Sequence, residues 1–235
     1  MSSKPLIICT KNGLCNKLRV LFSWWEYAKT VDRSLIVYWY DHTDLRKHLG
    51  GACAGHFYDV FEPIGGAPVL DDDTVVTELD YKGCHPHPDF DPAKQFIYTD
   101  LTLRPYLREQ VNTNVTEIGD DFIAVHVRRS DFVKAIAKRR GIYKSDAQFF
   151  SEIDQFEEHR WIYLATDNEE TQSIFMARYP DRLMVQSRIK QNDDRHRQTG
   201  IEGAVIDLYT CIESADFIGT PESTFTEFIQ QHRAG

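Results

Sequence analysis

Three short patches in the second half of the chain carry side chains suited to holding an anion or moving a proton. The first is His126-Val127-Arg128-Arg129-Ser130-Asp131, at the end of an apolar strand-like run. An arginine there can clasp a diphosphate through paired charge-assisted hydrogen bonds, although a salt-bridged strand end would read the same way. The second is Ala165-Thr166-Asp167-Asn168, where a strand runs into a helix. Its acidic residue is either part of a site or a plain helix cap. The third runs from Asp216 through Gly219 to Ser223-Thr224-Phe225, a strand, a glycine turn and hydroxyl residues opening a helix. A helix start of that kind presents unpaired backbone amides and a positive dipole end to a phosphate.

The elements that position these patches follow from the apolar periodicity. Period-2 or continuous apolar runs at 6–10, 34–40, 122–128, 161–165, 182–185 and 216–219 read as strands. Amphipathic stretches at 14–30, 105–115, 146–156, 201–214 and from Ser223 or Thr224 onward read as helices, with another capped by Asp167 or Asn168 and reaching Met176. Alternation of strand and helix predicts an α/β protein with mainly parallel sheets. In such sheets ligands gather at the carboxyl ends of strands, where all three patches fall. Between Asp41 and Asp100 the pattern breaks into Gly and Pro turns, with one strand expected at 75–79. The expected organisation is two lobes, 1–105 and 106–235.

Bulk properties narrow the function classes. With 27 Lys and Arg against 36 Asp and Glu, the net charge is −9, which argues against a general nucleic-acid binder. Five scattered cysteines form no C-x-x-C pair, so a zinc knuckle or redox motif is not expected. The Cys84-His85-Pro86-His87 cluster is too tightly spaced for ordinary tetrahedral ligation and reads as a loop. Neither a secretory signal nor a run approaching the ~20 apolar residues of a membrane span is visible. The expectation is a soluble, cytoplasmic protein without a membrane span.

Taken in order, His126–Asp131, Ala165-Thr166-Asp167 and the segment from Asp216-Phe217-Ile218-Gly219 to Ser223-Thr224-Phe225 resemble the three motifs of the fucosyltransferase superfamily. That superfamily includes α1,6-fucosyltransferases, nodulation fucosyltransferases and protein O-fucosyltransferases. Gly203–Leu208 is similar to a further stretch of the α1,6 group, and Asn12–Leu18 to the glycine-asparagine loop near the start of many members. The resemblance implies a GT-B-like fold, two Rossmann-like lobes facing across a cleft. It implies an inverting, metal-independent glycosyltransferase moving fucose from GDP-fucose to a glycan or other acceptor hydroxyl, with no cofactor beyond the nucleotide-sugar donor. Carried over, His126 and Asp207 would read the guanine or ribose, and Arg128 would hold the diphosphate. Asp167, Ser223 and Thr224 would join the donor site, with Gly13 and Asn16 contributing from the first lobe.

The chain departs from the α1,6 pattern where a lysine and a catalytic glutamate are expected, because Phe132 and Ile136 stand there. Asp131 is then the nearest carboxylate able to act as general base, with Asp41 or Asp44 as alternatives. Two further readings compete. Val69-Leu70-Asp71-Asp72-Asp73 could be the metal site of a GT-A glycosyltransferase, with Asp71 and Asp73 holding a cation, although a charged turn accounts for it as well. A non-catalytic nucleotide-sugar- or glycan-binding protein would also explain the missing glutamate.

Overall fold

The computed structural model describes residues 4–39, 55–70, 79–90, 98, 101–129, 140–186 and 200–234. They fall into two compact units. The first comprises Met1–Arg104, Gly200–Glu202 and Gln231–Gly235; the second comprises Pro105–Thr199 and Gly203–Gln230.

The first unit is built on β1 (Leu6–Thr10), α1 (Leu14–Thr30) and β2 (Leu35–Trp39), followed by α2 (Phe57–Val60), β3 (Val69–Leu70) and β4 (Tyr81–Gly83). Its sheet is parallel with order β3-β2-β1-β4. Helix α1 starts after Gly13 and buries Leu18, Leu21, Phe22 and Trp25, the stripe expected from i, i+3, i+4 spacing. Its last turn carries Lys29, bonded to Glu26 at 2.7 Å and well placed against the negative end of the helix dipole.

Two late segments belong to this unit for visible reasons. His232 stacks on Tyr98 with ring centroids 5.5 Å apart. Ile201 packs so closely on Gly55 that a Cβ there would sit 2.3 Å from its side chain, and Gly55 has φ +125°. Only glycine meets both demands. The strand expected at 75–79 lies outside the described residues except for Leu79, which is in no element; the fourth strand of this sheet is β4.

The second unit contains α3 (Pro105–Ile118), β5 (Ile123–Val127), α4 (Asp146–Ile153), β6 (Ile162–Thr166), α5 (Glu169–Arg178), β7 (Leu183–Met184), α6 (Ile201–Glu213, from Gly203 on), β8 (Asp216–Ile218) and α7 (Thr224–Ala234, to Gln230). Its sheet is parallel with order β7-β6-β5-β8. Ile123, Val125, Val127, Ile162, Leu164 and Ile218 form one face, packed on Phe149, Ile153, Phe175 and Tyr179 of the α4 and α5 layer. Ala124, His126, Tyr163 and Ala165 alternate to the other face. Every residue of β5 and β6 is buried, which is why both read as continuous apolar runs. Ser145 caps α4 reciprocally with Gln148. Asn168 caps α5 by accepting the Thr171 N–H at 2.8 Å, which frees Asp167 for another task.

Candidate active site at the carboxyl ends of β5, β6 and β8

The ladder around β5 ends at Val127 on the β6 side and at Val125 on the β8 side. Beyond those points, side chains take over the backbone polar groups. Thr166 Oγ1 donates to the Val127 carbonyl at 2.8 Å. Thr220 Oγ1 donates to the His126 carbonyl at 2.9 Å and accepts the Arg128 N–H at 2.8 Å. Asp167 Oδ1 accepts the Arg129 N–H at 2.8 Å. The strand end is therefore pinned on both sides, satisfying groups that burial would otherwise leave costly.

The two consecutive arginines have different partners. Arg128 donates through Nη1 to Asp167 Oδ2, and both side chains are about nine-tenths buried. Arg129 turns away, pairing with Asp146 and donating to the Lys144 carbonyl at 2.9 Å. Its guanidinium lies 5.2 Å from the Tyr143 ring centroid and 5.6 Å from that of Phe149, a cation–π arrangement. Arg129 ties the 143–149 segment to the strand end, while Arg128 stays at the carboxyl end of the sheet, paired with Asp167.

On the β8 side the chain turns at Gly219. A Cβ there would lie 2.3 Å from Thr226 Cγ2 and 2.8 Å from its Oγ1, so only glycine allows this approach. Thr226 uses the same hydroxyl to bond His126 Nδ1 at 2.8 Å, and Phe225 stacks on the imidazole with centroids 4.5 Å apart. Glu222 takes a left-handed φ of 56°, and Ser223 follows at the cap position, its carbonyl accepting the Glu227 N–H at 2.9 Å. The start of α7 thus stands beside β5, linked to it through Thr220 and Thr226.

The structure brings His126, Arg128, Asp167 and the Thr220–Thr226 turn that holds Ser223 and Thr224 into one bonded network. Asp207 has a different setting. It accepts a 2.7 Å bond from the Tyr163 hydroxyl, beneath the sheet face opposite the α4 and α5 layer. Although the residue keeps some exposure, desolvation dominates at its carboxyl and raises it to about 7, with the Tyr163 bond partly opposing. Burial, followed by the charge of Asp207, pushes the Tyr163 phenol well above its ordinary value. Gly13 and Asn16 lie in the first unit, at the cap and in the first turn of α1. Asp131, Phe132, Ile136, Asp41, Asp44, Asp71 and Asp73 lie outside the described residues. Tyr163 and Thr226 gave no sequence signal beyond being a strand aromatic and a helix residue.

Among the described residues there is no cluster of three or more His, Cys, Asp or Glu able to hold a metal ion, and no helix long and apolar enough to cross a membrane.

Residues 89–235, more than half of the chain, match the model of the GDP-fucose protein O-fucosyltransferase family. A relative from Caenorhabditis elegans, GDP-fucose protein O-fucosyltransferase 2, is 30% identical over 118 residues, covering 50% of this chain. That match spans 27% of the relative's own length. The crystal structure of the NodZ α-1,6-fucosyltransferase co-crystallized with GDP, a Bradyrhizobium protein, is 18% identical. It covers 97% of this chain and 92% of NodZ at a TM-score of 0.60. POFUT1 in complex with GDP is 12% identical, covering 99% of this chain and 95% of its own at a TM-score of 0.62. The fold is therefore the GT-B fold of these neighbours, and the GT-A alternative gives way to it.

Proposed function

The chain belongs to the GDP-fucose protein O-fucosyltransferase family, and on that premise we propose that it is a glycosyltransferase that moves fucose from GDP-fucose to an acceptor hydroxyl on a glycan, a protein or a small molecule. The observation that carries this reading is the placement of Arg128 at the carboxyl end of the central strand β5, next to the start of α7. Both structural neighbours bind GDP in their crystals, and the Caenorhabditis elegans relative is a GDP-fucose protein O-fucosyltransferase, which supports the choice of donor.

In the proposed reaction the acceptor oxygen bonds to the anomeric carbon as the bond from that carbon to the β-phosphate oxygen breaks. The electron pair leaves with the diphosphate. A guanidinium has donors enough for Asp167 and a diphosphate together, and the hydroxyls of Ser223 and Thr224 at the opening of α7 add to it. Charge that develops on the leaving group is thereby met by fixed donors, and no cation is required for that purpose. His126, oriented by Thr226 and Phe225, is the proposed contact to the nucleoside, with Asp207. Gly13 and Asn16 are proposed donor contacts from the family resemblance. Attack from the face opposite the diphosphate would invert the anomeric centre, and the acceptor proton needs a base. Asp131, two residues beyond Arg129, is the proposed one.

Calorimetry with GDP, GDP-fucose, UDP and dTDP, followed by turnover of GDP-fucose with and without EDTA, tests the reading. The expected outcome is binding of the guanine nucleotides alone and turnover that survives EDTA. A ligand at a hundred times its dissociation constant would also add about 2.7 kcal/mol of stability. Activity abolished by EDTA and restored by manganese would overturn metal independence. Failure to bind any guanine nucleotide would overturn the function. Asp131→Asn is expected to lower kcat about a hundredfold and to erase the acidic limb of its pH profile. An intact limb would remove Asp131 from the mechanism.

A further inference from the structure

Asp167 stands among the residues the family resemblance assigns to the donor, yet its two oxygens are engaged elsewhere. Oδ2 receives Arg128 Nη1, and Oδ1 receives the Arg129 N–H at 2.8 Å. Its carboxylate is about nine-tenths buried, and the helix-capping role its position suggested is filled by Asn168. A diphosphate brings only acceptors, so a carboxylate facing it directly would add repulsion. The same carboxylate behind the arginine does something else. It links the guanidinium of one residue to the backbone of the next, so the side chain cannot swing independently of the strand end.

The rest of the network makes that anchor stiff. The backbone of residues 126–129 is held by Thr166, Asp167 and Thr220 from both flanks. Thr166 and Asp167 are consecutive, and Thr166 is the last residue of β6, in register with Val127. The position of the Asp167 carboxylate relative to Arg128 is therefore set by the β5–β6 register rather than by a loop. An arginine left to itself would sample many rotamers, and ordering it would fall on the reacting complex.

We propose that Asp167 is a positioning residue that acts on fucosyl transfer only through Arg128, holding the guanidinium preorganised for the departing diphosphate, and is not itself a donor contact. This rests on the proposed function and extends it to a second residue. Asp146 plays the corresponding part for Arg129, but there the guanidinium is enclosed by Tyr143 and Phe149 and its partners tie down a segment of chain. One motif thus contains one arginine preorganised for chemistry and one used as a clamp.

A double-mutant cycle on the full chain tests this, using GDP-fucose turnover and GDP calorimetry. Asp167→Asn keeps a carbonyl for the Arg129 N–H but loses the charged arm. Its kcat is expected to fall about tenfold to a hundredfold, with the GDP dissociation constant and the donor KM moving less than about threefold. In an Arg128→Ala background the same change is expected to cost nothing further, because the residue it acts through is gone. Losses that multiply in the double variant would overturn the proposal, whether they came from a donor contact or from a general loss of structure. Should Asp167→Asn fail to fold, Asp167→Glu carries the same cycle, since it retains the charge at a displaced position. A wild-type protein that binds no GDP would overturn the proposed function, and this inference with it. A wild-type protein that binds and turns over, with multiplicative losses, would overturn this inference alone.

Discussion

The two sheets have the same topology and finish their central strands differently. In each, the first strand of the unit is central, with the second and third to one side and the fourth to the other, all parallel. The order therefore reverses beside β1 in one unit and beside β5 in the other, the position where open α/β sheets accept ligands. Past β1 the chain is held by backbone: the Lys11 N–H donates to the Gly83 carbonyl at 3.1 Å, and the Lys17 N–H to Gly13 at 3.1 Å as α1 begins. Past β5 it is held by the side chains of Thr166, Asp167 and Thr220, with a buried ion pair among them. Topology supplies a place for a site. The residue types at the strand end decide whether charged groups are fixed there.

Cores of equal quality should make the two units equally sensitive to truncation, which sets the baseline for the comparison. Phe22 in the first unit is fully buried, against Trp25 and Tyr98. Phe175 in the second is fully buried, against Phe149 and Phe150. Phe22→Ala and Phe175→Ala are each expected to cost about 3–5 kcal/mol, read from urea unfolding. A much smaller loss for Phe22→Ala would mean that the first unit's core is looser, and its strand end could not be compared with the second's on equal terms.

The sharpest contrast is functional. Arg128→Ala is expected to lower kcat by about 10²–10³, the scale for deleting one strong donor aimed at developing charge. Lys11→Ala changes the residue just past β1 and is expected to leave kcat within about threefold, as for substitutions away from buried networks. Steady-state kinetics on both variants decides. Comparable losses would show that the two strand ends contribute alike and would break the contrast.

How far this was legible in sequence follows the same divide. The elements of the second unit were readable because β5 and β6 are covered on both faces and appear as unbroken apolar runs, and because Ser145 and Gln148 announce α4. Among the described residues between 55 and 90 the elements are four, two and three residues long, shorter than the periodicity needed to detect them. At the site, the strand-end positions of His126, Arg128 and Asp167 were visible, but their partners were not. Asp167 and Asn168 were interchangeable as caps until Asn168 took the cap. The resemblance singled out Arg128, but what Arg129 does instead, pairing with Asp146 between the rings of Tyr143 and Phe149, left no sequence signal. The Tyr163–Asp207 bond joins residues 44 apart and left no local trace.

Buried charge offers a third test. The first unit buries Lys17 with its Nζ 4.6 Å from the Trp39 ring centroid, and the second buries the Asp207 carboxyl against Tyr163. Because burial raises Asp207 to about 7 from an ordinary 3.8, the folded protein holds that proton more tightly than the unfolded chain. The stabilisation is complete below about pH 4 and is lost as pH rises toward and through 7. Asp207→Asn cannot ionise and should flatten this dependence. Its melting temperature relative to wild type should climb between pH 4 and 8. Parallel curves for the two proteins would show that the Asp207 carboxyl titrates normally.

The smallest expected difference goes directly to how the strands are finished. Thr10 and Thr220 are both fully or nearly fully buried at strand ends, and Val replaces either with little change of volume. Thr10 Oγ1 makes a single 3.3 Å bond, to the Tyr38 carbonyl, and Thr10→Val is expected to cost about 1 kcal/mol. Thr220 serves two groups, accepting from the Arg128 N–H and donating to the His126 carbonyl. Losing its hydroxyl strands a buried donor and weakens a buried acceptor at once, and Thr220→Val is expected to cost about 2 kcal/mol. The change also releases the backbone amide that fixes the first atom of Arg128, so a fall in kcat should accompany the loss of stability. For Thr10→Val, stability alone should move. Urea unfolding and turnover of both variants provide the measurement. Equal losses of stability, with kcat untouched in both, would mean that Thr220 merely fills space, and that β5 is held at its end by β6 alone.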